Sequence, residues 1–221
     1  MSSEHSYVQE RLKVREGILR TILDEVPVAC SKGCVYCCYG VTLWLKRPEA
    51  LKLVEYLNGL SLKERKRLAK RLKEYERLYR QEAQKVGYDP PSPLPETALD
   101  TEKLGLIGGL GMNDVPCPFL SEDRTCTVYE ARPDMCRLML FRDSDVCRAD
   151  WEDPMRLIWQ REIAPFVERI RERFASKWSL AVIKLQKKYP ELDLKSLEEE
   201  VGFITHWIRF DPVKKRFKLS G

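Results

Sequence analysis

The chain has 221 residues, 43% of them hydrophobic and 33% charged, with a formal net charge of +5. That balance excludes global disorder, and a chain of this length buries about 70% of its unfolded surface without covalent staples. No run of about 18 apolar residues occurs, so no transmembrane helix is predicted, and the polar start Met1–Ser6 lacks the basic-then-apolar pattern of a secretory signal. A cytoplasmic protein with reduced thiols is therefore the expectation, against which eight cysteines, beside only two histidines, suggest metal.

Residues 7–26 read as a helix, with Val8, Leu12, Leu19, Ile22, Leu23 and Val26 at helical spacing and Pro27 as the stop. The first cysteine group follows at Cys30, Cys34, Cys37 and Cys38, in a loop turned by Gly33 and Gly40. Val41–Leu45 is a short apolar run, strand or buried loop. Pro48 and Gly59 bracket a helix at about 48–58. Ser61 and Glu64 form a capping box for a long helix to about Val86, with Leu68, Leu72, Tyr75 and Tyr79 along one face. The proline-rich stretch 89–95 predicts a stiff connector, and the four glycines of 105–111 a tightly packed or flexible loop.

The second cysteine group, Cys117, Cys126, Cys136 and Cys147, falls mostly in loop. Asp153 and Pro154 predict a helix start, Pro165 a break or kink, and the helix resumes to about Tyr189 with Val167, Ile170, Phe174, Trp178 and Ala181 inward. Asp193 caps a short helix ending near Gly202, and the runs 207–210 and 216–219 predict a small hairpin. The expected fold is mainly α: an irregular cysteine-rich metal-binding core packed between long helices, with a small C-terminal β-hairpin. A single domain over 1–221 is expected, with the cysteine region at about 28–150, a helical insertion at 47–88 and a helical extension at 151–221.

Cys30, Cys34 and Cys37 are spaced so that three thiolates can converge on one inorganic centre, and soft thiolates select zinc, copper(I) or iron–sulfur clusters. Cys38 follows Cys37 directly. Neighbouring side chains diverge in regular structure, so Cys38 serves a second centre or joins the first through irregular backbone. Four thiols within nine residues pack poorly as an apolar core, whereas an isolated cysteine such as Cys147 reads equally well as a small buried hydrophobe. All eight cysteines are candidate ligands, enough for two four-sulfur sites. A local triplet whose fourth ligand lies far away resembles cuboidal-cluster ligation more than a zinc knuckle built from C-x2-C pairs, so an iron–sulfur cluster is favoured and zinc is the alternative. Arg132, Arg137 and Lys32 stand beside the ligands and could offset the charge of an anionic centre; solvated surface side chains are the plain alternative.

The first group, followed by Cys117-Pro118-Phe119-Leu120 and by Cys126-Thr127-Val128-Tyr129-Glu130-Ala131-Arg132-Pro133-Asp134-Met135-Cys136-Arg137, resembles the YkgJ-type cysteine-cluster proteins, a zinc- or iron-chelating family with eight cysteines. The resemblance covers about residues 28–150. The family pattern is written CxxCxxCC, whereas the first gap here holds three residues. The region is also similar to the cysteine region of the larger flagellin lysine N-methylases, which links it to an iron–sulfur cluster and methyl transfer. The triplet is similar to the radical S-adenosylmethionine signature as well, but the chain lacks the repeated βα units of that barrel.

The remaining signals are weaker. Residues 61–86 hold ten Lys/Arg and four Glu, a charge that suits an acidic protein or nucleic acid, although a solvated amphipathic helix is preferred in the absence of a stacking platform. No catalytic dyad, nucleotide fingerprint or membrane segment stands out. The functional expectation is a metal-binding cysteine-cluster protein, iron–sulfur of the 4Fe–4S type, with a redox or methyl-transfer role; the alternative is a zinc-stabilised, non-enzymatic interaction module using the basic helix at 61–86.

Loops with few internal hydrogen bonds draw folding free energy from their metal, about 10 kcal/mol for a structural zinc site. Metal removal is therefore expected to open amides at 28–40 and 116–147 to hydrogen exchange, while 61–86 and 166–189 stay comparatively protected. Unchanged exchange in the loops after verified removal would show that the centre is not structural.

Overall fold

The computed structural model describes residues 3–26, 34–90, 92–139, 141, 144–152 and 159–220. In chain order its helices are α1 (Ser3–Glu25), α2 (Arg47–Asn58), α3 (Leu62–Val86), α4 (Thr101–Leu106), α5 (Asp134–Arg137), α6 (Ser144–Glu152), α7 (Ala164–Lys188), α8 (Leu194–Glu199) and α9 (Ile204–Trp207). The strands are β1 (Trp44–Lys46), β2 (Leu94–Pro95), β3 (Glu200–Phe203), β4 (Ile208–Asp211) and β5 (Arg216–Leu219). The fold is mainly α, and the C-terminal hairpin forms as the sequence predicts, pairing Phe210 with Phe217. None of the helices among the described residues is long and apolar enough to cross a membrane.

By its internal contacts the chain divides into two compact units, each assembled from two separated stretches: residues 1–36 with 134–195, and residues 37–133 with 196–221. In the first unit α1 and α7 run antiparallel. Lys188 and Tyr189 donate to Glu10 at one end, at 2.5 and 2.7 Å, and Arg173 pairs with Glu25 at the other. The inward stripe of α1 is Val8, Arg11, Arg15, Leu19 and Ile22, a helical 3-4 spacing with two arginines inside it. Leu12 and Leu23, expected in the apolar face, are only half-buried.

The second unit is built on α3. Its N-terminus closes with the predicted capping box: the Glu64 amide donates to the Ser61 hydroxyl, and the Glu64 carboxylate accepts from the Ser61 amide at 3.0 Å. Gly87 ends the helix in the left-handed region, where a residue without Cβ is unstrained. Leu68, Leu72, Tyr75, Tyr79 and Ala83 are buried, and Phe203 stacks on Tyr79 with ring centroids 4.1 Å apart.

Two stretches differ from the sequence reading. The connector 89–95 supplies β2, and the residues expected to end a helix near Gly202 supply β3; with β1 they make a three-stranded antiparallel sheet in the order β1-β3-β2. Pairing partners so distant in sequence override weak local propensity. The glycine stretch 105–111 is not a loop: α4 continues as a π-helical turn over Ile107–Gly111. Gly108 serves packing, because a Cβ there would collide with the Gly40 carbonyl. Pro165 sits in the first turn of α7, where its missing N–H is tolerated, directly after a π-helical turn over Trp159–Ile163. The predicted start at Asp153 and Pro154 lies outside the described residues.

The Tyr79 hydroxyl is buried, with the Trp44 indole N–H near it but neither atom in hydrogen-bond geometry. Burial, helped by the nearby Asp89 charge, pushes this phenol from 10.0 up to about 12. A raised folded value means the unfolded chain ionises first, so the stability that the neutral phenol contributes is complete below pH 10 and lost between about pH 10 and pH 12. Tyr79→Phe is expected to flatten that decline relative to the parent protein. Urea unfolding across this interval checks it, and parallel declines in both proteins would refute it.

Candidate metal centre

The first cysteine segment reaches the second unit through a single turn of 3-10 helix, Tyr36–Cys38. Gly40 then turns the chain at a φ of 64°, and residues 38–40 run against 115–117. The Gly40 amide donates to the Val115 carbonyl at 3.2 Å, and the Cys117 amide donates to the Cys38 carbonyl at 2.6 Å. Tyr39 and Pro116 form an antiparallel bridge between these bonds. Cysteines 79 positions apart in sequence are thereby tied together by their own backbone.

Beyond Cys117 the chain folds back on itself in tight turns. Leu120 pairs with Cys126 in a second isolated bridge, the Thr127 amide donates to the Phe119 carbonyl at 2.8 Å, and the Ser121 hydroxyl donates to the Thr125 carbonyl at 2.6 Å. Phe119, Leu120 and Val128 are buried beneath these turns. Arg71 of α3 donates one guanidinium nitrogen to the carbonyls of Cys117, at 3.2 Å, and Leu120. The long helix therefore grips the cysteine loop by its main chain.

The thiols crowd. Cys37 hydrogen-bonds to Cys38, and this bond, followed by desolvation and by the Cys38 charge, holds the Cys37 thiol well above its ordinary value. Cys37 is exposed, Cys38 and Cys126 are half-buried and Cys117 is buried. Cys126 is also raised, chiefly by desolvation and partly by Cys37, while the Val128 amide donates to its sulfur and works the other way. Arg132 opposes the rise at both Cys37 and Cys126. Its guanidinium is held over the Tyr129 ring, 3.7 Å from the centroid, and its Nε donates to the Tyr129 carbonyl at 3.1 Å.

Thus Cys37, Cys38, Cys117 and Cys126 belong to one unit, joined by backbone bonds and side-chain interactions. Cys37 and Cys38 both lie in the 3-10 turn Tyr36–Cys38. Cys34, Cys136 and Cys147, all half-buried, belong to the other unit, and Cys30 and Lys32 lie outside the described residues. Among the described residues no three His, Cys, Asp or Glu side chains form a group that could hold a metal ion. The donor chemistry nevertheless suits one: mutually repelling soft thiols beside a fixed guanidinium are what a thiophilic cation would relieve, since coordination deprotonates thiols outright. Arg137, expected beside the ligands, pairs instead with Glu16 of its own unit at 2.8 Å.

Sequence reasoning missed Arg71, which is one basic residue among ten in its stretch and has no local signal to single it out. It also missed Arg11 and Arg15, although their place inside the α1 apolar stripe was a readable anomaly.

Residues 29–155, more than half of the chain, match the model of the CxxCxxCC family, described as "Putative zinc- or iron-chelating domain". The chain belongs to this family. The match takes in both cysteine groups and the α2 and α3 helices between them, so the helical insertion lies inside the family domain. No curated protein and no solved structure matches the chain. Family membership supports metal binding and leaves zinc and iron as its two metals.

Arg71→Ala removes the charged donor from two carbonyls of the cysteine loop. A loss of about 1.5–3 kcal/mol is expected, the range for hydrogen bonds to charged groups. Denaturant unfolding of the metal-free chain measures it, and a change indistinguishable from zero would mean that the grip carries no stability.

Proposed function

We propose that this chain is an iron–sulfur protein of its family, with Cys30, Cys34, Cys37, Cys38, Cys117, Cys126, Cys136 and Cys147 as the ligand pool. The observation that carries the reading is that Cys37, Cys38, Cys117 and Cys126 share one unit, with Cys38 and Cys117 tied by a backbone bond and Arg132 acting on Cys37 and Cys126. A compact triplet completed by remote cysteines supports a cuboidal cluster of the 4Fe–4S type over a zinc knuckle. Such a cluster, when bound, supplies one-electron redox chemistry or supports methyl transfer. The protein's own part is to hold the thiols, to offset their charge through Arg132 and to limit water through the buried Phe119, Leu120 and Val128.

Zinc is the competing metal, and in that reading the chain is a non-enzymatic module that docks an acidic partner through α3. The α3 surface gives this little support. Arg77 pairs with Glu74, Arg80 with Glu76 and Asp89, and Lys85 with Glu82, as on a solvated amphipathic helix.

Anaerobic purification followed by metal and acid-labile sulfide analysis tests the proposal. The expected protein is coloured, carries iron and sulfide in comparable amounts, and loses iron in Cys37→Ser and Cys126→Ser. A colourless chain with stoichiometric zinc and no sulfide would overturn the iron–sulfur reading in favour of zinc.

A further inference from the structure

Cys136 sits in α5, a helical turn of four residues that α1 holds at both ends. At its first residue, Asp134 accepts from Arg11 at 2.9 Å and from Arg15. At its last residue, Arg137 pairs with Glu16 at 2.8 Å, and Glu16 also accepts from Arg15 at 3.3 Å. Inside the unit Arg11 lies beneath Trp178 of α7, with its guanidinium carbon 5.2 Å from the ring centroid. Arg11 and Arg15 are only 1% and 2% exposed, although each occupies a position in the apolar stripe of its helix.

Two buried arginines on one carboxylate are a poor way to gain stability. Desolvation offsets most of the attraction in such clusters, and apolar replacements of similar volume often do as well or better. The Arg15 Nε–H adds to the cost, since it is buried with no hydrogen-bond partner among the described residues. What the arrangement does provide is geometry. A four-residue turn cannot hold its own orientation, and pairing its first and last side chains to one rigid helix fixes its rotation and register. At about 100° per residue, the Cys136 side chain leaves the turn in a different direction from Asp134 and Arg137, so the clamp fixes the turn that carries the thiol.

We propose that Arg11, Arg15 and Glu16 are positioning residues that hold the Asp134–Arg137 turn so that Cys136 is presented as a metal ligand. The inference rests on the reading of Cys136 as part of the ligand pool. Partners of this kind, which orient a ligand without touching the metal, change metal affinity when removed. A purely structural clamp would lower the stability of the chain and leave the affinity of the folded protein alone.

The test uses the full chain, stripped of metal anaerobically and titrated with cobalt(II) against a competing chelator, with unfolding of the metal-free form followed in parallel. Cys136→Ser identifies the cobalt equivalent that depends on this ligand. Arg15→Gln and Asp134→Asn are expected to weaken that same equivalent by about 10–100-fold, the range for lost ligand-orienting partners. Arg15→Lys, which keeps the charge and a donor to Asp134, is expected to recover part of the loss. Leu19→Ala, a core truncation of the same helix, is expected to destabilise the metal-free chain without changing cobalt affinity, and it stands as the reference for mere destabilisation. Should Arg15→Gln and Asp134→Asn behave like Leu19→Ala, the positioning role is overturned. Full affinity in Cys136→Ser would also overturn it while leaving a centre on other cysteines intact. A parent chain that takes up neither cobalt nor its native metal would overturn the metal reading itself, and this inference with it.

Discussion

Thiols that crowd together resist ionisation, yet a metal centre needs them as thiolates. That conflict shapes the second unit. Cys37 is raised chiefly by Cys38, Cys126 chiefly by desolvation and in small part by Cys37, and Arg132 is fixed on Tyr129 where it favours charge on both. The backbone that carries these cysteines is irregular: a single 3-10 turn, tight turns and two isolated bridges. Irregular backbone has few ladder bonds of its own, so its order comes from elsewhere.

In both units that order comes from arginines on long helices. Arg71 of α3 reaches the carbonyls of Cys117 and Leu120, and Arg11 and Arg15 of α1 reach Asp134, two residues before Cys136. Guanidinium suits the task. It carries several donors in a planar fork, stays charged when buried and can bind two acceptors at once. The long helices therefore act as scaffolds for the cysteine segments as well as forming the core, and their apolar stripes give up positions to do so.

The positive charge of α3 has to be judged in the same light. Three of its ten basic residues are matched at i,i+3 or i,i+4 by glutamates on its own surface, and Arg71 turns toward the cysteine loop. Arg67 lies 3.7 Å from Glu122 of that loop. Part of a stretch that looks like a docking surface by charge count alone is thus taken up by solvated pairs and by contacts to the cysteine loop.

Much of the architecture was legible in the sequence because its signals are local. Capping at Ser61 and Glu64, the helix end near Val86, the 3.6-residue stripe of α3 and the C-terminal hairpin runs each depend on residues a few positions apart, and each formed where expected. The cysteine spacing likewise identified the family, since ligand type and local spacing are written directly in the chain. Tertiary structure alone decided the long-range features. Leu94–Pro95 and Glu200–Phe203 become strands only because they find each other across more than a hundred residues. Gly108 is glycine because Gly40 packs against it, and Cys38 lies beside Cys117 because one amide meets one carbonyl. The division of the cysteines between two units, and the burial of Arg11 and Arg15, were decided at the same level. Such contacts follow from which distant surfaces meet, and no periodicity or spacing along the chain encodes that meeting.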